Sequence, residues 1–348
     1  MIETNVDDPF ADEAASGTSR HKVPLRTFTF LLFPRYSMVC FACAIEPLRI
    51  ANRMLGYEAY RWRLITKNGE DAVASNGIAF PVHRSIQHER EMIRTGDAPD
   101  YVIVIASLGF ENFHDPATVN WLRAMDKQGI CVSAASNGAW ILADAGLLDG
   151  ARCCIHWESI PAFTERFPEV SAFPGIFEFD GKHYTCAGGT ASLDMMMHLI
   201  QKDYGKELVR KVAEQVLAER QRSSSERQKL PMRARLNINN SKMLFIIELM
   251  EANVSEPLSL VEIASYAHLS RRQIERLFLH YLGRTPARYY MEIRLDRARQ
   301  LLIYTSMSML DIAIACGFVS ASHFSKSYRS VYQRSPQQDR RELAQAMS

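Results

Sequence analysis

The sequence lacks an apolar run of membrane-spanning length. Its longest uncharged stretch, Gln128 to Ala143, carries Ser133, Ser136, Asn137 and Gly138 and falls short of the ~20 apolar residues that cross a bilayer as a helix. A basic-then-apolar leader is also missing, because Met1 to Arg20 is acidic and polar; the expectation is a cytoplasmic protein without a secretory signal. Cysteine is scarce and unpaired in number: seven residues, set inside apolar segments, fit reduced buried thiols better than a disulfide framework. Cys40 and Cys43 spell C-x-x-C, but no second Cys or His pair stands at ligand spacing, so both read as core residues and neither a metal nor a cofactor is expected. Net charge is nearly absent too, at +2.

That near-neutrality is a cancellation. Residues 1 to 201 hold 17 Lys and Arg against 24 Asp and Glu, a net of −7, whereas residues 202 to 348 hold 24 against 15, a net of +9. Of that excess, +5 falls in residues 202 to 236 and +4 beyond them. Such asymmetry prompts a search for a polyanion-binding module in the second half. The chain has 348 residues, 47% hydrophobic and 23% charged, which suits a globular protein of two domains.

Residues 1 to 24 offer no apolar periodicity and read as a disordered tail. From Thr27, short apolar runs alternate with amphipathic ones. Strands are expected at Phe28 to Phe33, Tyr60 to Thr66, Tyr101 to Ala106, Gly129 to Ala134 and Arg152 to His156, and helices at Met38 to Leu55, Pro116 to Lys127 and Gly138 to Ala145. Asp180-Gly181 marks a hairpin. Strands alternating with helices predict a doubly wound, mostly parallel, flavodoxin-like α/β domain over residues 25 to 205. A helix and a polar, Ser-rich linker without apolar residues at Glu219 to Arg227 occupy 206 to 239. Residues 240 to 342 read as all-α, with Pro257, Pro286 and Pro336 at helix starts.

Within this all-α region the same device occurs twice. A short helix at Leu258 to Ala264, a turn at Ala267 to Leu269 and a second helix capped by Ser270 make one helix-turn-helix; Ser308 to Cys316, Gly317-Phe318 and Ser320 to Tyr332 make the other. Helical spacing turns Ile274, Leu277, Phe278 and Tyr281 inward and Arg271, Arg272, Glu275 and Arg276 outward on the first second-helix. On the other it turns Phe324, Tyr328 and Val331 inward and Ser322, His323, Lys326 and Arg329 outward. A single helix from Pro286 to Ile303 separates the two units.

The residues Ile263-Ala264, Leu269-Ser270, Gly283-x-Thr285-Pro286, Arg294-Leu295-x-x-Ala298-x-x-Leu301-Leu302 and Ile312-Ala313-x-x-Cys316-Gly317-Phe318-x-Ser320-x-Ser322-x-Phe324 closely resemble the DNA-binding domain of AraC/XylS-type transcription factors. The resemblance implies that the two second-helices enter successive major-groove segments, on half-sites about one turn (~34 Å) apart. It places Arg272, Glu275, Arg276, Ser322, His323 and Lys326 at groove-facing positions. Arg276 is the foremost base reader, since a guanidinium gives two bonds to guanine O6 and N7, while Lys326 and Arg329 suit phosphate. Asp339 departs from the pattern, standing where an aromatic residue is common. RNA polymerase is an implied partner.

The first domain resembles the PfpI-like, glutamine-amidotransferase-like superfamily in the form fused to AraC-type domains in GlxA-type regulators. Ala134-Ala135-Ser136-Asn137-Gly138-Ala139, Ala145-Gly146-Leu147-Leu148-Asp149-Gly150, His156-Trp157 and Cys186-Ala187-Gly188-Gly189-Thr190-Ala191 carry this likeness. Catalytic members place a nucleophilic Cys at the strand-to-helix elbow with a His and a carboxylate. Here the elbow is Ser136, the His is retained as His156, and the carboxylate position is Cys43. The expectation is therefore a sensor and not an enzyme, the alternative being an amidohydrolase- or deglycase-like enzyme fused to a DNA-targeting domain. Phe41-Ala42-x-Ala44-x-Glu46-Pro47-Leu48-Arg49, Tyr60-Arg61-Trp62 and Ala74-Ser75-Asn76-Gly77 are similar to regulators of glycine betaine, carnitine or arginine catabolism. This likeness implies an activator with a small effector bearing a carboxylate and a cationic nitrogen. Ser136 to Gly138 could hold the carboxylate, and Glu46, Trp157 or Trp140 the cation, beside Asn137 and His156. A homodimer through the α/β domain is implied as well.

Overall fold

The structure is a computed structural model and describes residues 24–82, 84–107, 115–228, 236 and 238–347. All of the expected tail but Pro24 lies outside the described residues.

The first half runs β1 (Arg26–Leu32), α1 (Met38–Leu55), β2 (Tyr60–Ile65), β3 (Ala72–Val73), β4 (Ala79–Phe80), α2 (Ile86–Arg94), β5 (Tyr101–Ala106), α3 (Pro116–Lys127), β6 (Cys131–Ser136), α4 (Gly138–Asp144), β7 (Arg152–Cys153), α5 (Ile160–Arg166), β8 (Ser171–Ala172), β9 (Phe177–Phe179), β10 (Tyr184–Cys186), α6 (Ala191–Tyr204) and α7 (Lys206–Gln215). One six-stranded sheet has the order β2-β1-β5-β6-β10-β9, parallel but for the β9–β10 hairpin at Asp180-Gly181. Apolar residues on both faces make this sheet, since side chains alternate along each strand. Phe28, Phe30 and Leu32 of β1 pack with α1, α6 and α7, whereas Leu31 and the residues Val102 and Val104 of β5 pack with Trp121 and Leu122 of α3. The strand expected to reach His156 ends at Cys153: beyond it the chain turns, with Ser159 N–H donating to His156 C=O at 2.9 Å.

Local chemistry sets the boundaries. Ser37 accepts from Cys40 N–H to start α1, and Gly56 in the left-handed region ends it, as cap residues of those types do. Asn52 then ties α1 to β2, its amide oxygen accepting from Ala59 and Tyr60 N–H at 2.9 Å each. The amphipathic α2 is anchored by a buried carboxylate. Glu89 is 0% exposed and accepts from Thr29 Oγ1 at 2.7 Å and Arg63 Nη1 at 2.9 Å.

The segment expected as a polar linker lies along the α/β domain in its described portion. Arg222 donates through Nε (2.9 Å) and Nη2 (2.7 Å) to the buried Asp194 of α6, and through Nη2 to Thr190 at 2.9 Å. Ser224 C=O accepts from Ile176 N–H, and Gln228 Nε2 donates to Ile155 C=O at 2.9 Å and Gly175 C=O at 2.8 Å. Gly175 is required there, because a Cβ would stand 2.5 Å from Ser224 O.

The second half is helical: α8 (Ser241–Ala252), α9 (Leu260–Ala267), α10 (Arg271–Leu282), α11 (Pro286–Tyr304), α12 (Met309–Ala315), α13 (Ala321–Tyr332) and α14 (Pro336–Met347). Asn240, Ser259, Ser270, Thr285, Ser308 and Ser320 each cap a helix with a side-chain oxygen. A first core gathers Met243, Ile246, Ile263, Ile274 and Phe278. The second unit's core, with Leu295, Leu301, Ile312 and Phe324, is continuous with the α3–α4–α5 face of the α/β domain, and α11 lies against α5. This helix is accordingly covered on several sides, with Asp296 exposed and Leu295, Ala298, Leu301 and Leu302 buried.

Candidate nucleic-acid interface

The candidate interface comprises α10 and α13. Ile274 and Phe278 fix α10 on the first core, both at 0% exposure, and Phe324 and Tyr328 do the same for α13. Arg271, Arg272, Glu275 and Arg276 are all exposed, as are Ser322, His323 and Arg329, with Lys326 beside them on the same outward face. Two inward expectations need correction: Tyr281 is 36% exposed and Val331 38% exposed. Each lies in the last turn of its helix, where the core beneath has ended. Gln273 is exposed but committed, its Oε1 accepting from Ser270 N–H at 2.7 Å in a capping box.

Residues outside those two helices hold them in place. Arg294 of α11 donates from Nε to Cys316 C=O at 2.8 Å and from Nη2 to Gly317 C=O at 2.6 Å, and its guanidinium lies 4.2 Å from the Phe318 ring centroid. Carbonyls at the end of α12 thereby receive a cation, the favourable sign at a helix C-terminus. Gly317 has φ +71, and a Cβ on it would meet Pro257 Cδ at 2.5 Å and Val254 O at 2.7 Å. The turn of the second unit therefore closes directly on the chain of the first. Asp339, unexplained by sequence, is 0% exposed and accepts from Tyr328 Oη, from Arg299 Nε at 3.1 Å and from Arg334 Nη1 at 3.5 Å. It joins α13, α11 and α14 at one carboxylate. The role of Arg294 was within reach of the sequence through its motif; that of Asp339 depends on partners 5 to 40 residues away.

The elbow of the α/β domain is closely packed. Ser136 adopts φ +57 and is 7% exposed. Gly188 abuts it so tightly that a Cβ there would lie 2.5 Å from Ser136 Cβ. Asn137 is 1% exposed and its side-chain amide has no partner among the described residues. Helix α4 is only seven residues long. His156 and Trp157 follow β7, half-buried, with ring centroids 5.7 Å apart. Glu46 is not brought to them by any described contact: it pairs with Arg49 at 2.6 Å on the outer side of α1. Trp140 is core, 1% exposed and edge-on to Phe163 and Phe167 at 5.5 Å. Among the described residues no His, Cys, Asp and Glu group suits a metal ion, and no helix is long and apolar enough to cross a membrane.

Burial raises the pKa of all seven thiols, with Cys153 and Cys316 pushed up to about 12. Cys43 is also raised by Asp194 and lowered by Arg222. Because the thiolate is the nucleophile, alkylation of the native protein at pH 8 is expected to be slow at every cysteine and fast only in denaturant. Mass spectrometry after a short iodoacetamide pulse reads this, and a rapidly labelled native site would contradict it.

A cavity of about 590 Å³ opens elsewhere on the same end of the sheet, between the end of β1, the turn after β2, β3 and the start of α3. None of the effector candidates named from the sequence lines it.

Comparison with known proteins decides what the two halves make together. A helix-turn-helix domain family matches residues 263–342. The HTH-type transcriptional regulator GbdR of Pseudomonas aeruginosa is 42% identical over 313 residues, covering 89% of this chain and 83% of its own. The regulator CdhR of the same species is 41% identical over 315 residues, covering 90% and 91%. This chain belongs to the AraC family of transcriptional regulators. The regulator carries an α/β domain ahead of its helix-turn-helix pair. Among solved structures, an AraC family regulator from Pseudomonas putida is similar over 56% of this chain and 100% of its own, at 25% identity and a TM-score of 0.49. The relatives are transcriptional regulators, and this chain is a DNA-binding regulator like them.

Proposed function

We propose that the regulator is effector-responsive, activates catabolic genes for a small quaternary-ammonium or amino-acid-like metabolite, and reads two half-sites about one helical turn apart. The observation that carries the DNA reading is the repeated arrangement in which a capped helix is pinned by two buried aromatic or aliphatic residues and turns a polar, mostly basic face outward. Arg276 and Arg272 read base edges from α10, with Glu275 beside them; Ser322 and His323 do so from α13; Arg271, Lys326 and Arg329 neutralise phosphate. Replacing Arg276 with Ala is expected to relax preference at one base pair by about 1 to 3 kcal/mol. Binding-site selection on randomised DNA measures this, and an unchanged preference profile would remove Arg276 from the interface.

The α/β domain is proposed as a sensor and not an enzyme. Supporting this, the Ser136 hydroxyl makes no hydrogen bond to a described residue, and Asp194, the carboxylate that acts on Cys43, is already bound by the Arg222 guanidinium. Neither arrangement offers the base that a hydroxyl nucleophile requires. Loss of a measured turnover in Ser136→Ala would restore the enzymatic reading. Contact with RNA polymerase and a homodimer through the α/β domain belong to the same proposal.

A further inference from the structure

We propose that the 590 Å³ cavity beside β1 is the effector site, and that it takes a zwitterion: a carboxylate and an ammonium joined by an apolar body. This rests on the effector-responsive reading above and changes the place of binding from the elbow to the cavity.

Three observations carry it. The first is topological. From β1 the chain passes to α1 on one face of the sheet, and from the adjacent β5 to α3 on the other. Loops leaving the carboxyl ends of such a strand pair diverge and leave a crevice, the usual ligand position in open α/β sheets. The cavity opens beside that crevice, at the carboxyl end of β1 (Leu31 to Pro34), with the turn after β2 and β3 forming much of its wall and Asp115 at the start of α3 closing one side. The second is size and lining. Leu31, Leu32, Phe33, Pro34, Ala72 and Val73 give apolar walls, and the volume falls in the usual range for small-molecule sites of about 300 to 1,000 Å³. The elbow, by contrast, is filled by Ser136, Asn137 and Gly188.

The third is charge. The lining carries both signs, Lys67 together with the carboxylates of Glu70, Asp71 and Asp115. Lys67 Nζ is 2.9 Å from Asp115 Oδ2 and its side chain is 56% exposed, so its remaining donors face water or a ligand. Asp115 is firmly held. Partial burial opposes its charge, yet hydrogen bonds from Lys67, Thr118 and Ala117 N–H keep its pKa below the usual value. It thus stays a fixed anion that keeps Lys67 at the rim. The Glu70 carboxylate has no partner among the described residues and is exposed. A ligand carboxylate at Lys67 and a ligand cation at Glu70 would meet opposite charges at the same opening, while a ligand of single charge would satisfy one side only.

Thermal shift and calorimetric titration of the full chain test this, with glycine betaine, carnitine and arginine as zwitterionic probes and choline and propionate as controls bearing one charge. At least one zwitterion is expected to raise the melting temperature, with neither control doing so at equal concentration. Lys67→Ala should weaken its Kd tenfold or more, and Val73→Trp, which fills the cavity from a residue already 45% exposed, should abolish the shift. Both positions are exposed, and an unchanged melting temperature without ligand confirms that each variant folds. A shift retained in both variants, or an equal response to choline, overturns the cavity assignment and leaves the effector reading standing. Failure of every zwitterion to bind the wild type overturns both.

Discussion

Replacing Gly317 with Ala is expected to destabilise the second helix-turn-helix unit by about 2 to 5 kcal/mol and to weaken operator binding at least tenfold. Two costs add. Placing an L side chain at φ +71 costs roughly 1 to 2 kcal/mol, and overpacking against fixed neighbours costs about 1 to 3 more. The neighbours here are fixed, since the new Cβ would meet the Pro257 ring and the Val254 carbonyl, both closer than 3 Å. Relief requires the turn to move, and with it the carbonyls of Cys316 and Gly317 that Arg294 holds. Because α13 begins four residues later, a displaced turn redirects Ser322, His323 and Lys326 relative to α10. Denaturant titration and a mobility-shift assay on the native operator read the two effects separately. Wild-type values in both would mean that the two units are not positioned by this contact.

The second large effect belongs to the α/β domain. Glu89→Ala should cost about 3 to 5 kcal/mol, because it removes the buried counter-charge of Arg63 and leaves its guanidinium only the half-exposed Asp97. Arg63 is 5% exposed and spans from Glu89 to Asp97, tying α2 to β2. The Thr29 hydroxyl, 0% exposed, would lose its acceptor as well. Replacing both partners, Arg63→Met with Glu89→Leu, should recover much of the loss, since an apolar pair of similar volume has no charge to desolvate. Urea unfolding of the single and double variants decides it: a single variant within about 1 kcal/mol of wild type would show that water reaches Arg63.

The residues that made the fold readable are those whose signals are local. Ser37 and Gly56 bound α1, and Asp115-Pro116 starts α3, so both helices match their expected spans. The helix-turn-helix units were equally plain, since Ser270, Ser308 and Ser320 announce their helices. What escaped depends on distant partners or on elements too short for a period. Strands β3 and β4 have two residues each, and β3 nonetheless walls the cavity. Arg222 looks like one more linker charge until Asp194, 28 residues earlier, is brought beneath it. Glu46 misled for the opposite reason, its charge being taken up by Arg49 three residues on.

The binding of residues 222 to 228 along the α/β domain also sets the reach of the DNA-binding half. From Gln228 to the cap of α8 at Asn240, about 11 intervening residues extend to at most ~40 Å. Were the held segment released, the tether would begin near Leu217 and roughly double in length, to about 80 Å. Effective concentration falls as about the −3/2 power of tether length, so the docking of α11 on α5 would face a local concentration about threefold lower. Holding or releasing roughly ten residues of polar chain would thus change how often the two halves meet without changing a residue in either surface.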